Sequence, residues 1–202
     1  MILPLLVMAI AYLLGAIPFG YLLVKLKTGA DVRSAGSGNI GATNVLRTTG
    51  RAVGIATLLL DIAKGYLAVW IAARLTERDP LWMAAAALAV MAGHAYPVFL
   101  SFKGGKAVAS FVGAFLCLTP VALGATLVVF VAAVAWTRYI SMGSIVAAAT
   151  FPLAVWLLQK PPLVVLVASA LAGVFIIYKH SSNMQRLREG SERVFRFDAR
   201  KP

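Results

Sequence analysis

Long apolar stretches alternate with short polar segments along this chain of 202 residues. The apolar stretches lie at residues 2–24, 53–73, 81–98, 107–136, 140–158 and 162–178. The first holds no charged side chain, and at about 1.5 Å per residue it can cross a hydrocarbon core of about 30 Å. Lysines follow it, whereas a cleavable signal peptide carries its positive charge before the apolar run. The pattern therefore predicts a membrane protein with an uncleaved first helix.

The number of spans depends on the uncharged run at residues 107–136. With Pro120 near its middle, this run is too long for one ordinary span and barely long enough for two. Cytoplasmic loops collect lysine and arginine, and seven spans place most of the 19 basic residues on one side, including Arg196, Arg200 and Lys201. We therefore expect an all-α polytopic membrane protein with seven transmembrane helices, N-terminus outside and C-terminus cytoplasmic, forming a single domain over residues 1–202.

The composition also indicates a membrane protein, because 61% of the residues are hydrophobic and 13% charged, against about 45–50% and about 25% in soluble domains. The net charge is +12. The basic residues flank apolar spans, so we expect them to set topology and bind anions, and we expect no nucleic acid partner. The single Cys117 has no second thiol for a disulfide or a metal site, and it is expected to fill the core.

The first polar segment, residues 34–51, contains the letters of the dinucleotide fingerprint G-x-G-x-x-G. That motif needs a βαβ unit, whereas here one membrane helix ends before the segment and another begins after Gly50. Its glycines instead permit positive φ angles and an anion-binding turn of backbone amides, unless the segment is an ordinary interhelical loop. The candidate binding residues are Gly36, Ser37, Gly38, Asn39, Gly41, Thr43, Asn44 and Arg47.

A second polar segment, residues 93–110, carries two lysines separated by two glycines. It is not a Walker A loop, because Leu100 and Ala107 stand where that motif needs glycine and Ser or Thr. The lysines precede an apolar helix, whose N-terminus favours anions, although a purely topological role for them is the alternative. The candidate residues are Lys103, Gly104, Gly105 and Lys106.

The third polar segment, residues 180–192, places His180, Asn183 and Arg186 one helical turn apart on one face. They are either a functional cluster or ordinary surface residues. Within the second apolar stretch, Asp61 and Lys64 are also one turn apart. Since charges inside a membrane are costly, this pair is either part of a functional site or a structural ion pair.

Several kinds of catalysis do not fit the sequence. The His-x4-Asp signature of other glycerolipid acyltransferases is absent, because Phe99 and Gln185 stand five positions after the two histidines. The chain has no G-x-S-x-G elbow and no metal-ligand cluster. The kind of catalysis that remains is one in which the protein positions phosphorylated reactants and stabilises their charge. A small-anion or phosphorylated-solute transporter is the alternative, although we find no internal repeat of the kind it predicts. A lipid-binding scaffold is a third possibility.

Together the three segments resemble the bacterial membrane family of acyl-phosphate-dependent glycerol 3-phosphate acyltransferases. The motifs are G-S-G-N-I-G-A-T-N-V-L-R-T-T-G (36–50), G-H-A-Y-P-V-F-L-S-F-K-G-G-K (93–106) and H-S-S-N-M-Q-R-L-R-E-G-S-E (180–192). The resemblance implies seven helices in the bacterial inner membrane and a cytoplasm-facing site. It also implies transfer from acyl phosphate to the sn-1 hydroxyl of glycerol 3-phosphate, which gives lysophosphatidate. Ala107 departs from the family, which usually has glycine there.

An acyl phosphate is already activated, so the reaction needs no covalent acyl-enzyme, and we expect no cofactor or metal. We expect Ser37, His180 and Asn183 to be catalytic, with Arg186 in support. We expect the two phosphates to be bound by Arg47, Lys103, Lys106 and the Gly36 to Gly41 turn. We also expect the chain to be a monomer surrounded by membrane lipids. The hydroxyl proton could pass to His180 or to a substrate phosphate.

Overall fold

Helices make up all the regular secondary structure in residues 2–195, the part of the chain that this computed structural model describes. Within these residues the α-helices are α1 (Ile2–Ala16), α2 (Phe19–Thr28), α3 (Ala42–Thr49), α4 (Arg51–Leu75), α5 (Pro80–Ala95), α6 (Val108–Leu118), α7 (Pro120–Thr137), α8 (Ile140–Gln159), α9 (Leu163–Lys179) and α10 (Ser181–Arg188). The predicted all-α class is confirmed for this part of the chain. Arg196, Arg200 and Lys201, used in the charge argument, lie outside it.

Several of these helices, alone or joined end to end, are long and apolar enough to cross a membrane. Between residues 2 and 195, five segments meet that description, and α9 with α10 makes a sixth if this pair, bent by 53°, is one span. The first segment contains both α1 and α2, which are separated at Ile17 and Pro18. Proline has no backbone N–H with which to continue a helix. The chain is therefore a multi-pass membrane protein with an interrupted first span.

The long uncharged run splits into α6 and α7 at Thr119, and Pro120 is the first residue of α7. Proline suits that position, because the first N–H of a helix has no partner inside the helix. α6 has 11 residues, which corresponds to about 16 Å, or roughly half of a hydrocarbon core. The predicted break is confirmed, whereas the seventh crossing stays a prediction.

Large apolar side chains cover the outside of the helices. Val128 is 70% exposed, Leu163 73% and Trp136 91%. A water-soluble protein rarely leaves so much contiguous apolar surface in solvent. These side chains are suited to contact with lipid acyl chains.

Glycines hold the helices of the first half of the chain close together. A Cβ atom added to Gly15 or Gly93 would overlap the backbone where α1 and α5 meet, and one added to Gly65 or Gly113 would overlap it where α4 and α6 meet. Lipid tails are as apolar as leucine, so membrane helices associate by close packing of small residues. These two pairs of glycines therefore fix the spacing of four helices.

The described residues divide into two compact units, one ending at Leu118 and the other beginning at Thr119. In the first unit α1 packs on α5, and α4 lies against α1, α2, α3, α5 and α6. In the second unit α8 contacts both α7 and α9, and Gly173 of α9 lies against the backbone of Ala148. The first two polar segments belong to the first unit and the third to the second.

Candidate active site

The first polar segment is built around the buried side chain of Asn44, at the start of α3. Its amide group donates hydrogen bonds to the carbonyl oxygens of Val32 (3.3 Å), Ala35 (3.1 Å) and Asn39 (2.8 Å). Its carbonyl oxygen accepts the backbone N–H of Ser37 at 2.8 Å. Asn44 was predicted to bind substrate, but its polar atoms are engaged by the loop itself. It therefore determines the shape of the loop.

The three glycines of this loop differ in conformation. Gly36 and Gly38 have φ angles of +61° and +71°, and a Cβ atom on Gly36 would overlap the Asn44 amide. Gly41, where glycine would also permit a positive φ, has a φ of −76° and forms the N-cap of α3. The residue before a helix adopts an extended backbone, so the conformational freedom of glycine is not used at this position.

The backbone amides of the loop form hydrogen bonds within it. Besides the Ser37 N–H, the Gly38 N–H donates to the carbonyl of Ala35 at 3.1 Å and the Gly41 N–H to the side chain of Asn39 at 2.8 Å. These three amides therefore do not form the inward-facing anion turn that the glycine spacing predicted. Ser37 is exposed, and α3 presents the half-buried Thr43 and the exposed Arg47 one turn apart.

The lysine-bearing loop of the second segment rests on His94, near the end of α5. The Gly105 N–H donates to the His94 carbonyl at 3.1 Å. A Cβ atom on Gly104 would overlap that carbonyl, and one on Gly105 would overlap the imidazole Nε2. The two glycines thus permit close approach to His94, while Lys103 is exposed and Lys106 half-buried.

Ala107, which follows this loop, has a φ of +60° and is fully buried. An L-residue in the left-handed region is strained by about 1–2 kcal/mol, whereas glycine is not. Its carbonyl accepts the Phe111 N–H at 2.8 Å and so begins α6. This geometry gives a physical reason for the glycine that the resemblance leads one to expect at this position.

Asp61 and Lys64 of α4 form the buried ion pair that their spacing allowed, with 2.9 Å between Nζ and Oδ1. Lys64 also donates to the carbonyl of Ile17 at 2.8 Å. The imidazole Nδ1 of His94 lies 3.6 Å from the same carboxylate oxygen. The sequence indicated the pairing of Asp61 with Lys64, which are one turn apart in α4. It did not indicate that His94 joins them, because His94 lies in a different helix, α5.

In the second unit, His180 lies at the bend between α9 and α10 and is buried. Its ring Nδ1 is 2.8 Å from the carbonyl oxygen of Ile176. Since a carbonyl only accepts hydrogen bonds, Nδ1 carries the proton in this contact. In a neutral imidazole, Nε2 then keeps the lone pair that could accept a proton.

Glu192 brings two of the predicted residues together. The Asn183 amide donates to its carboxylate at 2.8 Å, Arg186 Nε at 2.8 Å and the Ser141 hydroxyl at 3.0 Å. Burial alone would raise the pKa of Glu192, but these hydrogen bonds outweigh it and lower the pKa. Sequence reasoning assigned Glu192 no role.

The turn after α10 places Glu192 in this position. Gly190 has a φ of +68°, the Gly190 N–H donates to the Leu187 carbonyl at 3.3 Å and the Ser191 N–H to the Arg186 carbonyl at 2.8 Å. This is a glycine C-cap that reverses the chain. A signal for this contact was present in the sequence. Gly190, which can end a helix and turn the chain, stands two positions before Glu192 and follows a helix that carries Asn183 and Arg186.

Comparison with known proteins identifies the family of the chain. Residues 5–190 match the family model described as glycerol-3-phosphate acyltransferase. A protein of that name from Geobacter metallireducens is 54% identical over 197 residues, which cover 97% of this chain and 100% of that protein. One from Geobacter sulfurreducens is 51% identical over 188 residues, covering 93% and 95%.

Two solved structures are also similar. The crystal structure of PlsY (YgiH), an integral membrane glycerol 3-phosphate acyltransferase, in its glycerol 3-phosphate form has a TM-score of 0.90 at 38% identity and covers 96% of each chain. The lysophosphatidic acid form gives a TM-score of 0.88 at 37% identity, covering 96% and 95%. Each likeness extends over nearly the full length of both chains.

Proposed function

The chain belongs to the glycerol-3-phosphate acyltransferase family, and from this premise we propose that its acyl donor is an acyl phosphate. It acylates glycerol 3-phosphate to give lysophosphatidate, the first acylation of phospholipid synthesis. The observation that carries this conclusion is full-length similarity to named acyltransferases and to a structure in its glycerol 3-phosphate form.

The reaction needs two phosphorylated molecules held side by side. The sn-1 oxygen of glycerol 3-phosphate forms a bond to the acyl carbonyl carbon, and the bond from that carbon to the phosphate oxygen breaks. We assign phosphate binding to Arg47, Lys103 and Lys106, together with Thr43 and the side chains that the Gly36–Gly41 loop presents, since three of its backbone amides are bonded within the loop. The positive charges of Arg47, Lys103 and Lys106 would stabilise the negative charge that grows on the carbonyl oxygen and the leaving phosphate.

We assign the orientation of the acceptor hydroxyl to His180 and Asn183, and a hydrogen bond to a substrate to Ser37. Arg186 supports Asn183 through Glu192, to which both donate. Two groups can take the hydroxyl proton: His180 Nε2, and a substrate phosphate whose second pKa is about 6. No covalent acyl-enzyme is required by either route.

We further propose seven spans in the bacterial inner membrane, with α6 as the additional crossing, N-terminus outside and C-terminus cytoplasmic. The charge pattern supports this topology, because Lys25 and Lys27 lie in the last turn of the first span, and Arg186 and Arg188 lie in the last turn of α10. We propose that the chain acts as a monomer and as a single catalytic domain.

A donor comparison tests the proposed function. Purified protein in lipid vesicles is incubated with labelled glycerol 3-phosphate and either palmitoyl phosphate or palmitoyl-CoA. We expect labelled lysophosphatidate from palmitoyl phosphate alone. Product from palmitoyl-CoA alone would overturn the assignment of the donor, and uptake of glycerol 3-phosphate without acyl transfer would favour a transporter.

A further inference from the structure

Three ionisable side chains lie together inside the first unit, and they are more deeply buried than Arg47, Lys103 and Lys106, which we assign to phosphate binding. Asp61 is 2% exposed, and Lys64 and His94 are each 4% exposed. Removing charges from water costs several kcal/mol per ion, and pairing repays this cost only when the geometry is excellent. A fold therefore has little reason to keep such a cluster for stability alone, and charged groups inside a membrane protein point to a function.

One side of the cluster contacts the lysine loop. The His94 ring is held 3.6 Å from Asp61, and the His94 carbonyl accepts the Gly105 N–H at 3.1 Å. The imidazole fills the space in which a side chain at position 105 would lie. Because Gly105 is adjacent to Lys106, a movement of His94 would shift the phosphate-binding lysine.

The other side of the cluster reaches the glycine loop. Lys64 Nζ donates to the Ile17 carbonyl at 2.8 Å, in the break between α1 and α2. In the first turn of α2, Gly20 packs so closely on the carbonyl of Ile40 that a Cβ atom would overlap it. Ile40 lies between Asn39 and Gly41, so Lys64 supports the first loop through the start of α2.

We propose that Asp61, Lys64 and His94 are positioning residues that set the two phosphate-binding loops of the first unit relative to each other. None of the three has to touch a substrate. Asp61 links the cation that holds the start of α2 to the imidazole that supports the lysine loop. The proposal rests on the proposed function, since it explains how that reaction keeps its cationic groups in place.

The first test replaces both charges of the pair by apolar groups of similar size, in the double variant Asp61→Leu/Lys64→Met. Such replacements are often neutral or stabilising, so the variant separates positioning from stability. We expect an unchanged Tm, a KM for glycerol 3-phosphate or for acyl phosphate raised about tenfold or more, and a kcat within about threefold of the parent.

A matched control is Ser169→Ala, which removes another fully buried polar group whose hydroxyl contacts only its own helix among the described hydrogen bonds. It should leave both KM values and kcat within about twofold. A folded double variant with unchanged KM values would overturn the proposal, as would a loss confined to kcat. A parent protein that makes no lysophosphatidate would instead contradict the proposed function.

A second test measures the contact between His94 and Gly105 by a double-mutant cycle. Gly105→Ala should raise KM because its methyl group meets the imidazole, and His94→Ala should raise KM because the loop loses its support. In the double variant the methyl group fits the space that the imidazole has left. The KM of the double variant should therefore be at least about threefold lower than the product of the two single-variant increases predicts. Strict additivity would overturn the proposal, even if the Asp61 and Lys64 variant does not fold.

Discussion

Asn44 and Ser37 lie in the same polar segment, one in α3 and one in the loop before it, but differ in what their polar atoms contact. The Asn44 amide is buried and bonded to the loop backbone, whereas the Ser37 side chain is exposed. Glycine-rich spacing and short polar residues predicted a binding loop here, and both residues fitted that prediction equally. Burial separates their roles, and burial at a single position cannot be derived from the letters of a loop.

His180 provides a test of where the hydroxyl proton goes. In His180→Gln an amide replaces the ring and cannot take a proton at neutral pH. If Nε2 is the base, we expect kcat to fall by about 100-fold or more, measured from pH 6 to pH 9 with saturating substrates. A fall of only a few-fold that is equal at all pH values would mean that a substrate phosphate takes the proton.

Glu192 is expected to be critical because three side chains donate to it. In Glu192→Gln the new amide NH₂ would face one of these donors, and a buried donor left without an acceptor costs about 1–3 kcal/mol. We expect a lower Tm in detergent and a reduced kcat/KM. The control Glu189→Gln, at an exposed carboxylate bonded only to Gln185 among the described contacts, should change little.

The same carboxylate gives a pH dependence with a defined sign. Its pKa in the folded protein is below the ordinary value of 4.5. Its contribution to the free energy of unfolding is therefore complete above about pH 4.5 and is lost as the pH falls through the lowered value. The Tm of Glu192→Gln should consequently differ from that of the parent at pH 7, and this difference should shrink progressively as the pH is lowered below 4.5.

Among the helices, hydrophobic length predicted the long spans, and Pro120 predicted the break between α6 and α7. The separation of α1 from α2 and the short helix α3 were not predicted. Pro18 lies within an apolar run that is long enough to be read as one continuous span. The eight residues of α3 are too few to form a stable helix by themselves, and tertiary contacts with α2 and α4 stabilise them instead.

The contact between α4 and α6 gives a prediction for Gly65→Ala. The added methyl group would overlap the backbone of Ser110, so the helices must separate, at a cost of about 1–3 kcal/mol. The matched control is Gly124→Ala in α7, where a Cβ atom meets nothing within 4 Å. Thermal unfolding in detergent should show a lower Tm for the first variant and an equal or higher Tm for the second.

For the whole molecule, the basic residues predicted an orientation that depends on one short helix. The 11 residues of α6 carry no charge that would indicate whether they cross the bilayer. Apolar length cannot decide between six and seven spans when a helix is shorter than the hydrocarbon core. The number of spans is decided by the side of the membrane on which the loops before and after α7 and α8 lie.

Cysteine labelling in intact cells tests this topology. In a Cys117→Ala background, single cysteines are placed at the exposed positions Phe102, Arg138, Lys160 and Ser182. If α6 crosses, we expect an impermeant reagent outside the cell to label only the cysteine at position 160. Labelling at positions 138 and 182, with none at position 160, would mean that α6 does not cross.

The glycines at the helix contacts also limit how this sequence can change over generations. Every replacement for Gly15, Gly65, Gly93 or Gly113 adds at least one carbon atom toward a neighbouring backbone, so a single substitution has no neutral choice at these sites. Exposed positions such as Leu163 and Val128 are suited to contact with lipid tails, and there one aliphatic side chain can replace another at little cost. Substitutions should therefore accumulate at the exposed apolar positions, while the glycines at the helix contacts stay unchanged.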